Sequence, residues 1–123
     1  MHVEDDLDIQ RIAAAIAQDF ATFEFAGTLQ EAREQLGKHH YDLVLLDLTL
    51  KDGSGWELLD AIEALNPAPP VVVFSATDVA AMESQRVEAV LVKAHTSNEA
   101  LLRTLQRVLD ESEWGTVHPP LSI

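Results

Sequence analysis

The chain has no cysteine, which excludes disulfide bonds and thiolate metal sites as supports for its fold. That absence agrees with a reducing cytoplasm, the expected location. Basic residues are also scarce: eight Lys and Arg stand against twenty-one Asp and Glu, a formal net charge of −13. Such a surface repels a phosphate backbone and an anionic bilayer alike, so neither direct nucleic-acid binding nor membrane insertion is expected. Most of the acidity needs no purpose beyond solubility; the rest suits proteins with basic patches, or cations. No apolar run approaches the roughly 20 residues that span a bilayer. The start, Met1-His2-Val3-Glu4-Asp5-Asp6, is acidic where a signal peptide is basic. Internal repeats and low-complexity stretches are lacking too.

What is present is apolar: 47% of 123 residues, enough for one domain with its own core. Short continuous apolar runs alternate with helical stripes. Asp42-Leu-Val-Leu-Leu-Asp47, Pro70-Val-Val-Val-Phe-Ser75 and Ala89-Val-Leu-Val-Lys93 read as strands buried on both faces, the mark of a parallel sheet. Ala21-Thr-Phe-Glu-Phe-Ala26 is a weaker run. Only His2 and Val3 precede the first acidic cluster, so the first strand is predicted to be very short. Helical spacing recurs in Ile9, Ile12, Ile16 and Phe20; in Leu29, Ala32 and Leu36; in Trp56, Leu59, Ile62 and Leu65; and in Leu101, Leu105 and Val108. Thr28 with Glu31, Ser54 with Glu57, and Thr96 with Glu99 are capping-box pairs, while Gly37 and Asn66-Pro67 supply stops. Asp78 to Gln85 has room for about two helical turns at most. After a domain of residues 1–110, the stretch 111–123 carries Gly115, Pro119 and Pro120 without periodicity. It reads as a C-terminal tail or linker remnant.

A β-α unit repeated five times demands a doubly wound α/β sandwich: a parallel sheet with helices on both faces and right-handed crossovers. Chemistry in such folds gathers beyond the carboxyl ends of the strands. There the first strand offers Glu4 and Asp5, the third Asp47, the fourth Ser75 and the fifth Lys93. Each has a plainer account alone. Glu4, Asp5 and Asp6 suit the start of a helix, whose dipole favours acids, and Ser75 and Lys93 suit ordinary strand ends. Asp47 is harder to set aside, because a carboxylate closing a Leu-Val-Leu-Leu run is costly without a partner. Together the carboxylates repel, and Lys93 offsets one charge of three. A hard divalent cation relieves the remainder, and Mg²⁺ suits one or two carboxylates plus phosphate oxygens. The set points to an Asp carboxylate that accepts a phosphoryl group beside Mg²⁺.

The residues resemble the receiver domains of bacterial two-component systems, from the start to about Asp110. The matching pieces are Val3-Glu4-Asp5-Asp6; Asp42-Leu-Val-Leu-Leu-Asp47-Leu with Gly53-Ser-Gly55 behind it; Val72-Val-Phe-Ser75-Ala76; and Leu91-Val-Lys93. The resemblance implies a flavodoxin-like, CheY-like five-stranded sheet in the order 2-1-3-4-5. It implies Mg²⁺ on Glu4, Asp5, Asp47 and the backbone carbonyl of Thr49, with Asp6 a lesser third acid. It also implies Asp47 as phosphoacceptor, Ser75 as switch hydroxyl, Lys93 as phosphoryl partner, and Thr49 and Thr77 as positions that tune the acyl phosphate's lifetime. The implied partner is a sensor histidine kinase or a histidine phosphotransfer domain, and the implied role is signalling, not enzymatic.

Four departures stand out. Lys51 and Ala94 replace prolines common in the family, and without proline the Lys93–Ala94 bond is expected to be trans, since cis costs about 2.5–4 kcal/mol. Val90 occupies the position of the switch aromatic. The stretch from Ser75 to Lys93 is about one turn short, at the expense of the fourth helix. The last two fall on the usual dimerisation face, a pattern that resembles receivers fused to larger sensor kinases. Among rival functions, a haloacid-dehalogenase-type phosphatase needs a second Asp two residues after the nucleophile, where Thr49 stands. A flavodoxin-like cofactor binder needs a phosphate-cradling loop after the first strand. The main alternative is a pseudo-receiver, an interaction module that is never phosphorylated. Histidines 2, 39, 40, 95 and 118 show no ligand spacing, and His39-His40 is expected to face solvent.

Overall fold

The apolar runs become the middle of a parallel sheet. The computed structural model describes residues 1–111 and 121–123, without the side chains of residues 81, 82 and 121; the readings on Trp114, Gly115, His118, Pro119 and Pro120 lie outside the described residues. Its elements are β1 (His2–Val3), α1 (Leu7–Ala17), β2 (Ala21–Thr22), β3 (Phe25–Ala26), α2 (Leu29–Lys38), β4 (Val44–Leu46), β5 (Thr49–Leu50), β6 (Gly53–Ser54), α3 (Gly55–Glu63), β7 (Val71–Ser75), α4 (Ala81–Ser84), β8 (Ala89–Val92), a 3₁₀ turn (Lys93–His95), α5 (Asn98–Glu111) and β9 (Leu121–Ser122). The main sheet runs β3-β1-β4-β7-β8, all parallel. Counting its strands along the chain gives 2-1-3-4-5, the expected order.

Alternation along the central strands divides the core in two. Val44, Leu46, Val71 and Val73 point to one face and pack with Leu29, Ala32 and Leu36 of α2 and with Leu58, Leu59 and Ile62 of α3. Leu43, Leu45 and Val72 point to the other and meet Ala13 and Ala17 of α1 and Leu101, Leu105 and Val108 of α5. Both faces of β4 are therefore buried, which is why that run carries no polar alternation. Trp56 is half-buried against the first cluster, and His39 and His40 are exposed. Among the described residues, no helix is long and apolar enough to cross a membrane.

Several local expectations shift. In the first stripe Ile12 is exposed, and the buried positions are the small residues Ala13 and Ala17, which let α1 lie close on α5. The run from Ala21 to Ala26 breaks into β2 and β3, and β3 alone joins the main sheet. Ser54 and Glu57 complete a capping box on α3, whereas Thr28 caps α2 while Glu31 reaches back to the Gly27 N–H. At α5 the cap is Ser97, bonded to the Ala100 N–H; Thr96 instead donates to the Val92 carbonyl. Gly37 lies inside α2, which ends one residue later. The fourth helix is indeed a single turn, and Lys93–Ala94 is trans; among the described residues the cis bond is Asn66–Pro67.

The chain's single tyrosine, Tyr41, is buried and its hydroxyl donates to Glu24 Oε2. Burial, then the bond to Glu24 and its charge, push the phenol pKa upward. A raised folded-state value favours the neutral phenol, so its stabilising contribution is whole below the unfolded value of about 10 and is lost as pH rises beyond it. In an ultraviolet titration, tyrosinate absorbance should therefore stay absent at pH about 10 and emerge together with alkaline unfolding. Free-tyrosine-like ionisation of the folded chain would contradict this.

Candidate functional site

The carboxyl ends of β1, β4, β7 and β8 meet at one edge, and each delivers its polar residue there. Glu4 follows β1, Asp47 follows β4, Ser75 ends β7, and Lys93 follows β8. The backbone ties the first two together, because the Asp47 N–H donates to the Val3 carbonyl at 3.0 Å. Glu4 and Ser75 are fully buried and Asp47 is 5% exposed.

Asp47 is the hub. Its Oδ1 accepts from the Ser75 hydroxyl at 3.0 Å and from the Thr49 N–H at 3.2 Å. Its Oδ2 lies 3.2 Å from Lys93 Nζ, and the same ammonium sits 2.6 Å from Glu4 Oε1. Asp5 is half-buried beside them, and carboxylate oxygens of Glu4, Asp5 and Asp47 lie within 4.8 Å of one another. Burial, eased by Lys93 and by the Asp6 N–H and reinforced by the Asp47 charge, raises the Glu4 pKa. Burial acts to lower the Lys93 pKa, but its bond to Glu4 and the charges of Glu4 and Asp47 outweigh that and raise it.

This arrangement has an excess of negative charge. Three carboxylates face one ammonium, which Glu4 Oε1 and Asp47 Oδ2 share. Buried carboxylates that share a single cation have room in charge for a second. Around an octahedral Mg²⁺ at about 2.1 Å per bond, opposite ligands sit about 4.2 Å apart and adjacent ones about 3.0 Å, so oxygens gathered within 4.8 Å of one another would have to draw in to share one ion. The residues present fit the group.

The remaining expected positions are less central. Asp6 lies outside the cluster: its side chain caps α1 through the Asp8 and Ile9 amides, the plainer account of an acid at a helix start. The Thr49 side chain and Thr77 are exposed. Val90 is half-buried against the α2–α3 cluster. Two supporting residues, Gln10 and Asp52, were missed in the sequence, and a third, Gly55, was read there only as part of the motif behind Asp47. Gln10, one turn into α1, donates to the Glu4 carbonyl at 2.6 Å. Asp52 accepts from the Leu29 and Gln30 amides at 2.8 and 3.2 Å, tying the β5–β6 hairpin to the start of α2. Those bonds hold the Asp52 pKa below the usual carboxylate range. Gly55 lets α3 begin against the site: a Cβ there would lie 2.4 Å from the Asp47 carbonyl oxygen.

Known proteins give the chain's family and its fold. The family model for the response regulator receiver domain matches residues 1–105, and the chain belongs to that family of signalling domains. It is 38% identical over 77 residues to the transcriptional regulatory protein PmrA of Pectobacterium parmentieri, covering 62% of this chain and 35% of that protein. It is 36% identical over 77 residues to the transcriptional regulatory protein MalR of Bacillus subtilis, covering 60% and 33%. The chain thus spans about a third of the length of these relatives. Among solved structures, a CheY-like receiver domain protein from Methanospirillum hungatei superposes with a TM-score of 0.79 at 24% identity, covering 89% of this chain and 91% of that one. The BeF3-activated DrrB receiver domain superposes with a TM-score of 0.75 at 20% identity, covering 89% and 94%.

Two glycine substitutions should move stability in opposite directions. Gly55→Ala drives a methyl into the Asp47 backbone and should cost about 1–3 kcal/mol. Gly37→Ala, with nothing within 4 Å of its Cβ and a helical position, should gain up to about 1 kcal/mol. Urea unfolding midpoints check both, and equal effects would show that the contact with Asp47 is not tight.

Proposed function

We propose that this chain, as a receiver unit of residues 1–110, is the phosphoacceptor of a two-component phosphorelay. The carrying observation is the Asp47 carboxylate, buried between the Ser75 hydroxyl and the Lys93 ammonium with Glu4 and Asp5 alongside. In this reading an Asp47 oxygen attacks the phosphorus of a phosphohistidine on a sensor histidine kinase or histidine phosphotransfer domain. The new bond is O–P, the broken one P–N, and the imidazole nitrogen keeps the electron pair and takes a proton. Glu4, Asp5, Asp47 and the Thr49 carbonyl would hold Mg²⁺, which supplies positive charge for the phosphoryl oxygens.

Lys93 is placed to release Asp47 and pair with a phosphoryl oxygen, its Glu4 contact keeping it nearby. Ser75 is placed to donate to the same group. Thr49 and Thr77 are the candidates for tuning the acyl phosphate's lifetime, since both stand exposed a few residues beyond Asp47 and Ser75. Readout would not use an aromatic rotamer, because Val90 holds that position. The one-turn α4 and Val90 are also what support a setting beside a larger sensor kinase. The net charge of −13 supports protein partners over nucleic acid. The same two features favour the second reading, a pseudo-receiver that binds partners without phosphorylation.

Incubation with Mg²⁺ and acetyl phosphate, followed by intact-mass measurement, decides between them. The expected result is a gain of one phosphoryl group that is lost in Asp47→Asn and on chelation of the metal. No gain beside a control receiver that labels would establish the pseudo-receiver. Sustained hydrolysis of phosphate esters would establish a phosphatase instead.

A further inference from the structure

The two-residue strand β1 is continued, in register, by the other end of the chain. His2 lies opposite Phe25 and Leu45, and Val3 opposite Ala26 and Leu46. Counting back, the places opposite Phe23 and Thr22 lie beyond Met1 on the same line. β9 fills them: Ser122 is opposite Thr22, and Ile123 follows it. On the other flank two places beyond Met1 falls opposite Asp42, and Ser122 is bonded to Asp42 there, one place short of the ideal ladder, in which the donor would be the Leu43 N–H.

The segment is bonded on both edges, as an inserted strand is and an edge strand is not. On one side the Ile123 N–H donates to the Thr22 carbonyl at 2.9 Å, and the Glu24 N–H donates to Ile123 O at 2.7 Å. On the other, the Asp42 N–H donates to the Ser122 carbonyl at 2.8 Å and the Ser122 N–H donates to Asp42 Oδ2 at 2.8 Å. Side-chain alternation also continues across the break. Val3 and Met1 belong to the α2–α3 cluster, while Ile123 is fully buried in the α1–α5 cluster beside Leu43 and Leu45. Without this segment, the Glu24 and Asp42 amides would lose their partners and Ile123's place in that cluster would be empty.

We propose that the channel between Thr22–Glu24 and Asp42 is a strand-acceptor site for the chain's own Leu121–Ile123, and that filling it holds β1 in place for cation binding by Glu4 and Asp5. The second half rests on the function proposed above. Its physical basis is short: Val3 bonds the Asp47 amide directly, and the Glu4 N–H donates to the Ala26 carbonyl at 2.9 Å. A β1 that slides or frays carries the acidic pair with it. Recognition is by backbone, with one small polar and one apolar side chain, the chemistry of strand addition.

Three forms of the full chain test this: deletion of residues 121–123, Ser122→Pro, which removes the donor to Asp42, and a chain with Leu-Ser-Ile moved from the end to directly before Met1. Amide hydrogen exchange at Glu24 and Asp42 should accelerate on the order of a hundredfold in the first two and return to parental rates in the third. The melting temperature should fall by about 10 °C and recover in parallel. Magnesium ion titration should show severalfold weaker binding in Ser122→Pro. Exchange rates that ignore all three changes would overturn the proposal. Protection that disappears on dilution would place the strand in a second copy and overturn occupancy within one chain. Altered exchange with unchanged magnesium affinity would overturn the coupling to the acidic pair. A parent chain that binds no magnesium would defeat the function proposed above, and the exchange data would still decide the strand site.

Discussion

Three carboxylates and one ammonium share the open edge of an apolar sheet, and this charge imbalance is the constraint around which the rest is arranged. Lys93 lies between Glu4 and Asp47 and can neutralise one charge, leaving the cluster short of positive charge in a place where water is largely excluded. Burying like charges together is tolerated where a site is meant to receive a cation or a charged group. The neighbouring features are consistent with that economy of charge. Ser75 and the Thr49 amide both donate to the same Asp47 oxygen, and the Asp6 amide donates to Glu4. Each supplies a partial positive charge without another ionised group.

The scaffold meets this constraint by delivering the groups from separate strands. A parallel sheet ends all its strands on one side, so residues far apart in sequence arrive together with fixed spacing. Around them, loops are held by side chains of ordinary type. Gln10 fastens the β1–α1 turn through the Glu4 carbonyl, Asp52 fastens the hairpin after Asp47 to α2, and Gly55 lets α3 start in contact with the Asp47 backbone. At the opposite end of β1 the last residues of the chain complete the strand that leads to Glu4 and Asp5.

The face built from α4 and β8 is more lightly constructed. α4 is one turn, and Arg86, just beyond it, reaches Asp60 and Glu63 of α3 through exposed ion pairs. Exposed pairs of this sort contribute little stability, but they set where the segment rests against α3. Val90 packs inward from β8 against the same core. The chemistry edge and this face therefore share β7 and β8 but differ in how firmly they are held.

Much of this was legible in the sequence. The continuous runs at 42–47 and 70–75 read as strands buried on both sides, because they are shorter than a typical helix and rich in valine and leucine. Their terminal Asp47 and Ser75, with Lys93, marked the site edge. What sequence could not settle was decided by tertiary packing. Ile12 is exposed because α1 sits on α5 through Ala13 and Ala17, a choice of close approach over bulk that helical periodicity does not encode. Thr96 and Ser97 are both capable caps, and the path of the chain out of β8 selected Ser97. The residues after Pro120 carry no periodic signal, since three residues make no pattern. Their place as the continuation of β1 exists because the sheet leaves unpaired backbone groups at Thr22, Glu24 and Asp42. Local residue type thus determined the strands, the helices and the identity of the reactive groups; which groups touch, and which remote segment closes the sheet, depended on hydrogen bonds and contacts that form only when the whole chain is folded.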